Sequence, residues 1–204
     1  MTNGSDQDWL LISTSTAGAA GTLRVQVWRK LRSLGALYVQ QSVCLLPARD
    51  DVVRQVRRLA DRIRRQGGTV RVLRMRFADP GEERSVVEEF NAARDAEYAE
   101  VLERIPALRE ELAQERARGR ATYAEVEESE ADLDRFRSWL GKIAARDYFS
   151  APGGQAAHAA VNESAADLEA FEKAALRAEA GEAAPMVTPR RLRSVAGRRR
   201  PAPP

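Results

Sequence analysis

A chain of 204 residues with 33 Lys/Arg, 30 Asp/Glu, one His and one Cys carries a formal net charge of only +3. No apolar run reaches the roughly 18 to 20 residues that cross a bilayer, and the opening Met-Thr-Asn-Gly-Ser-Asp lacks the basic region of a secretory signal, so a cytoplasmic protein is expected. A single cysteine excludes an internal disulfide, and Cys44 with His158 cannot build a recognised zinc pattern.

The small net charge conceals a split. Residues 1–77 hold 14 Arg/Lys against 5 Asp, residues 78–180 hold 13 against 24 acids, and residues 181–204 hold 6 against 1. Arginine supplies 30 of the 33 basic residues, a bias that a GC-rich genome explains as readily as guanidinium chemistry.

Taken in chain order, Trp9 to Thr16 begins apolar and β-branched and enters the Ala17–Gly21 loop, the pattern of a buried strand. Thr22 is placed to cap a helix with Leu23, Val27, Leu31 and Leu34 on its inner seam and Gly35 as its stop. Residues 36–41 and 42–47 read as a hairpin without a diagnostic turn dipeptide. Asp50 and Asp51 open a second helix that buries Val52, Val53, Val56, Leu59, Ala60 and Ile63 and stops at Gly67-Gly68. Residues 69–77 alternate Val70, Val72 and Leu73 with Arg71, Arg74 and Arg76, predicting a last strand with one basic exposed side. The order is βαββαβ, the ferredoxin-like arrangement.

Asp79-Pro80-Gly81 marks a boundary, after which the period is helical: Val86, Phe90, Val101, Ile105, Leu108 and Leu112. Pro106 predicts a kink or restart. Thr122 to Glu125 fits a capping box ahead of Val126, Leu133, Phe136, Leu140 and Ile143, and a last helix places Val161, Leu168 and Phe171 inward. The expectation is thus an α+β chain. A basic ferredoxin-like subdomain occupies 1–78, an acidic α-helical subdomain packed on it occupies 79–180, and a disordered Pro/Arg-rich tail occupies 181–204.

Arg24, Arg29, Lys30 and Arg32 on the first helix follow a Thr/Gly-rich loop, so guanidinium groups and a helix N-terminus could meet phosphates together. DNA is the natural polyanion of that size. The competing reading is a solvated face, or one neutralised by the acidic half. Arg54, Arg58 and Arg65 on the second helix, and Arg146 beside Asp147, are further anion candidates, with a solvated face and a local ion pair as their ordinary explanations. The tail arginines would add salt-sensitive attraction without sequence information.

Catalysis has little support. The carboxylates of Glu125, Glu127, Glu128, Glu130, Asp132 and Asp134 sit where solvated helix faces carry charge, and the first strand has no acid between Trp9 and Thr16. Gly18 and Gly21 complete no nucleotide-binding motif. His158 has no partner by spacing, and Cys44 reads as a buried, inert thiol. No cofactor or metal is expected. Trp28 and Trp139 interrupt charged faces, but packing is the expected role of both.

Several segments together resemble the N-terminal domain of the chromate resistance protein ChrB. They are Trp9-Leu-Leu, residues 24–36 around Trp28-Arg29, residues 40–47 around Val43-Cys44, Glu97-Tyr98, residues 127–133, Trp139, and Ala145-Arg146-Asp147-Tyr-Phe149. The resemblance covers roughly residues 8–175. It implies a chromate-responsive transcriptional regulator of chromate efflux, with DNA contacts at Arg24 and Arg29. It also implies chromate as an oxyanion ligand and a second, C-terminal domain, here expected as a separately encoded partner. The βαββαβ part is similar to domains of the phenylacetate-pathway repressor family and the small CRISPR spacer-acquisition subunit, which implies a homodimer by analogy. Two alternatives stand beside the regulator: a non-catalytic interaction or scaffold module of a chromate resistance system, and a metal-dependent nuclease-like or chromate-processing enzyme.

Overall fold

The structure is a computed structural model that describes residues 7–18, 21–118 and 122–182. Six elements come first: β1 (Trp9–Ser15), α1 (Gly21–Ser33), β2 (Leu37–Gln40), β3 (Val43–Pro47), α2 (Asp50–Arg65) and β4 (Thr69–Met75). Three long helices follow, α3 (Pro80–Ala117), α4 (Tyr123–Ala144) and α5 (Gly153–Glu182). The architecture is α+β. The strands form one antiparallel sheet in the order β2-β3-β1-β4, and the β2–β3 hairpin turns at Gln41-Ser42 with a register shift between Tyr38 and Gln40. The tail from residue 183 lies outside the described residues.

Alternation along β1 sends neighbouring side chains to opposite faces, and both faces are covered. Leu10 and Val72 face α2 with Val56 and Ala60. On the other face the Trp9 ring, 0% exposed, meets Phe77, Phe90 and Phe149 at centroid distances of 5.5, 5.7 and 5.5 Å. Its indole N–H donates to Glu83 at 2.9 Å, so the buried aromatic keeps its hydrogen bond. This core therefore draws Val86 and Phe90 from α3 and Tyr148 and Phe149 from the loop before α5. A second core joins Val101, Ile105 and Leu108 of α3 to Leu133 and Ile143 of α4 and Val161 and Phe171 of α5.

Four local expectations differ from the structure. Thr22 lies inside α1, which begins at Gly21, so it is not the cap. Leu73 is 55% exposed, because its register partner is Leu11 on the face away from α2. The β4 arginines do not form one basic side: Arg71 and Arg74 alternate to opposite faces, and Arg74 and Arg76 both donate to Asp8, at 3.3 and 2.7 Å. Pro106 does not restart a helix. α3 runs through it, because the seam Val101-Ile105-Leu108-Leu112 packs continuously on α4 and α5 and offsets the lost backbone hydrogen bond, a defect of about 3 kcal/mol. The helix starts behave as their chemistry dictates. Asp79 accepts from the Gly81 N–H at 2.8 Å with Pro80 in the first turn, and Thr122 accepts from the Glu125 N–H at 3.4 Å.

The two cores are tied at the C-terminal end of α1. The Tyr148 hydroxyl donates to the Leu34 carbonyl at 2.7 Å in a buried bond, and the Arg49 guanidinium lies 5.1 Å from the Tyr148 ring centroid while donating to the Tyr148 carbonyl. Glu97 accepts from both Arg94 and Arg146. Asp147 accepts from the Tyr98 hydroxyl at 3.1 Å and the Ala151 N–H at 3.0 Å. Gly35, at φ 71°, lies against this cluster: a Cβ there would come 2.6 Å from Arg94 Nη1. Gly35→Ala should therefore cost about 2 kcal/mol, from the left-handed backbone and from displacing a buried guanidinium. A lowered urea midpoint with an unchanged slope is the expected reading.

Burial, and next the charge of Asp51, pushes the Tyr148 hydroxyl up to about 12; burial, and next Asp147, does the same for Tyr98. Unfolded tyrosines ionise near 10, so the neutral hydroxyls' contribution to stability is complete below pH 10 and is lost as pH rises from 10 towards 12. Urea midpoints should fall between pH 9 and pH 11, and by less in Tyr148→Phe.

Candidate nucleic-acid interface

α1 has no acidic residue. Its seam of Leu23, Val27 and Leu31 is buried, which turns the remaining positions outward. Arg24, Arg29 and Arg32 are exposed, and among the described residues none of them forms an ion pair. Lys30 is half-buried between the helices, its Nζ donating to Gln55 of α2 at 2.7 Å. The four predicted contact residues therefore do not act alike: three guanidinium groups point outward and the ammonium braces α1 against α2.

Trp28 was expected in a packing role and is instead 46% exposed. It follows Val27 directly, and the 100° step of a helix carries it off the buried seam onto the stripe of Arg24 and Arg32. The Arg32 guanidinium lies 5.2 Å from its ring centroid, a cation–π contact that holds both side chains. Val25 is 45% exposed on the same helix. Trp139 does pack, half-buried against the helical core with Arg104 at 5.3 Å from its ring.

Beside α1 opens a cleft of about 670 Å³. Arg24, Val25 and Trp28 form one wall, the polar end of β1 from Thr14 to Thr16 forms another, and Tyr38 with Gln41 and Ser42 of the hairpin closes it. Burial, and next the Cys44 thiol, pushes the Tyr38 hydroxyl up to about 12, so this phenol is a donor throughout the neutral range. Among the described residues none that lines the cleft is a carboxylate.

On α2, Arg54, Arg58 and Arg65 are exposed, and the spacing of Arg54, Arg58, Arg62 and Arg65 keeps them on one stripe. Arg58 and Arg62 share a shallow cleft of about 320 Å³ with Lys30 and Gln55, which joins the basic faces of the two helices. Arg146 is placed elsewhere. Its guanidinium binds Glu97 and the Lys142 carbonyl, the latter at 2.7 Å, so it serves the junction between the cores as an internal ion pair. Sequence reasoning missed Arg94, which is 7% exposed and whose Nε and Nη1 have no hydrogen-bond partner. A polar residue on the α3 seam between Phe90 and Tyr98 was the available signal.

The remaining candidates fall apart in space. His158 is exposed on α5 in a small cleft with Asp147 and Ser150, and Ser150 has a φ of 59°. Cys44 lies in β3, 1% exposed, and burial pushes its thiol up to about 12. Among the described residues no three His, Cys, Asp or Glu side chains are grouped to hold a metal ion. Among them also no helix is long and apolar enough to cross a membrane.

The described residues thus form an α+β fold in which the exposed basic face of α1 stands beside a cleft lined by Trp28 and Tyr38. Residues 24–182 match the family described as Protein ChrB, N-terminal, and with most of its length matched the chain belongs to this chromate-resistance-related family. No curated protein and no solved structure matches it.

The buried, protonated Cys44 should resist a thiol-directed disulfide reagent at pH 8 in the native protein and react fully in urea. Rapid labelling of the folded chain would contradict this placement.

Proposed function

We propose that the protein is a DNA-binding transcriptional regulator linked to chromate resistance that acts by binding rather than by catalysis. The observation that carries this reading is the state of the α1 arginines. Elsewhere, arginines such as Arg109, Arg118, Arg135 and Arg137 sit against carboxylates, whereas Arg24, Arg29 and Arg32 are held out on a helix that contains none. Phosphate oxygens would complete them, and Arg58 and Arg62 would widen the contact across the α1–α2 groove.

The strand order and helix placement of the first half support a ferredoxin-like subdomain, with the acidic helices packed on it as the second subdomain. A homodimer and chromate as the oxyanion that switches DNA affinity complete the proposal in a cytoplasmic setting. The second reading, a scaffold module, is favoured by the exposed Glu127, Glu128 and Glu130 on α4 beside the 59% exposed Tyr123, a surface suited to a basic protein partner.

The test is anisotropy of labelled DNA from the gene's own upstream region against a scrambled duplex, across a salt series, with and without chromate. The double variant Arg24→Glu/Arg29→Glu should bind more weakly, and its log–log salt slope should flatten by roughly 0.9 per lost phosphate contact. Unchanged binding by a folded double variant would remove α1 as the contact surface, and equal, salt-sensitive binding of both duplexes would favour the scaffold reading.

A further inference from the structure

The cleft beside α1 combines features that phosphate contact does not use. A tryptophan left 46% exposed forgoes burial worth on the order of 2 kcal/mol, and this one stands in the wall of a cleft rather than alone on the surface. Its ring is steadied by Arg32 and lines the cleft. Tyr38 of the hairpin lines the same cleft as the indole. The volume of about 670 Å³ is within the range of small-ligand sites and holds a nucleoside comfortably. The walls offer hydroxyls of Thr14, Thr16 and Ser42 and the amide of Gln41, groups that donate and accept without charge, while the cation, Arg24, stands beside the indole.

We propose that this cleft is a nucleobase site: one base displaced from the DNA stack lies against the Trp28 ring, with Arg24 on the adjoining phosphate and the hydroxyl and amide groups on the base edge. The inference rests on the DNA-binding reading and deepens it. In a paired duplex both faces of each internal base are already stacked on neighbours, whereas a base that has left the stack offers an exposed indole a free flat partner. Charge complementarity agrees, because the cleft has a cation and no carboxylate and therefore tolerates the sugar–phosphate that a displaced base brings with it.

The experiment compares a duplex carrying one unpaired adenine with the fully paired duplex of the same sequence, by anisotropy across a salt series. The unaltered protein should bind the bulged duplex about tenfold more tightly, the order expected of one stacked base. Trp28→Ala should erase that preference while leaving the salt slope unchanged, and Trp28→Phe should keep most of it. Arg24→Glu should instead weaken both duplexes and flatten both slopes. Because Trp28 is exposed, the thermal midpoint of Trp28→Ala should stay near that of the unaltered protein. A second readout avoids substitution: the bulged duplex should quench tryptophan emission more than the paired one, since Trp9 is fully buried and Trp139 half-buried. Equal affinity for the two duplexes, or a preference that survives Trp28→Ala, overturns the base site while leaving the phosphate interface standing. Loss of no affinity in the Arg24→Glu/Arg29→Glu variant overturns the interface as well.

Discussion

A sheet whose central strand is apolar on both faces must be covered twice. Leu10 and Ile12 on one side and Trp9 on the other leave β1 no solvent face along its first half, and α1 and α2 cover only one of the two. The second cover comes from Phe90 of α3 and from Tyr148 and Phe149, almost sixty residues further along the chain. The helical half is therefore the other wall of the first core, and burial of several aromatic rings, each among the largest apolar surfaces available to a side chain, ties the two together.

This arrangement sets the position of α1. Its inner seam packs towards the sheet, its C-terminal end is held by the Tyr148 bond to Leu34 and the contact of Gly35 with Arg94, and its flank is braced by Lys30 on Gln55. Only its outer face remains available, and that face carries Arg24, Trp28, Arg29 and Arg32. The same junction holds two guanidinium groups on one carboxylate, Arg94 and Arg146 on Glu97, so the charge that stabilises it is poised between the helical core and the helix that would meet DNA. Through these contacts the end of α1, the middle of α3 and the loop before α5 are fixed to one another.

Much of the fold was legible because periodicity reports one-sided burial. The seams of α1, α2 and α5 and the apolar run of β1 stand where the residue pattern places them. Leu73 and Trp28 depart from what their residue types suggest because exposure follows from position on the strand and helix, whereas Arg146 forms an ion pair, its ordinary explanation, with a partner distant in sequence. Leu73 faces the side of the sheet where Leu11 lies, Trp28 is a single helical step off the seam, and Glu97 happens to stand opposite Arg146. α3 continues through Pro106 because a local defect of a few kcal/mol is outweighed when a seam continues to pack on both sides of it.

The elements, their inner faces and the basic character of the first half follow from residue order, since these depend on interactions between residues three or four apart on a helix or two apart on a strand. The sequence also contained the residues by which the chain resembles, and belongs to, the ChrB N-terminal family. Only in the folded chain does it emerge which of the described arginines meet carboxylates, and only there do Trp28 and Tyr38 line one cleft beside Arg24. Pairing of charges and convergence of rings are contacts between segments, and no period along the chain encodes the distance between two segments before they fold.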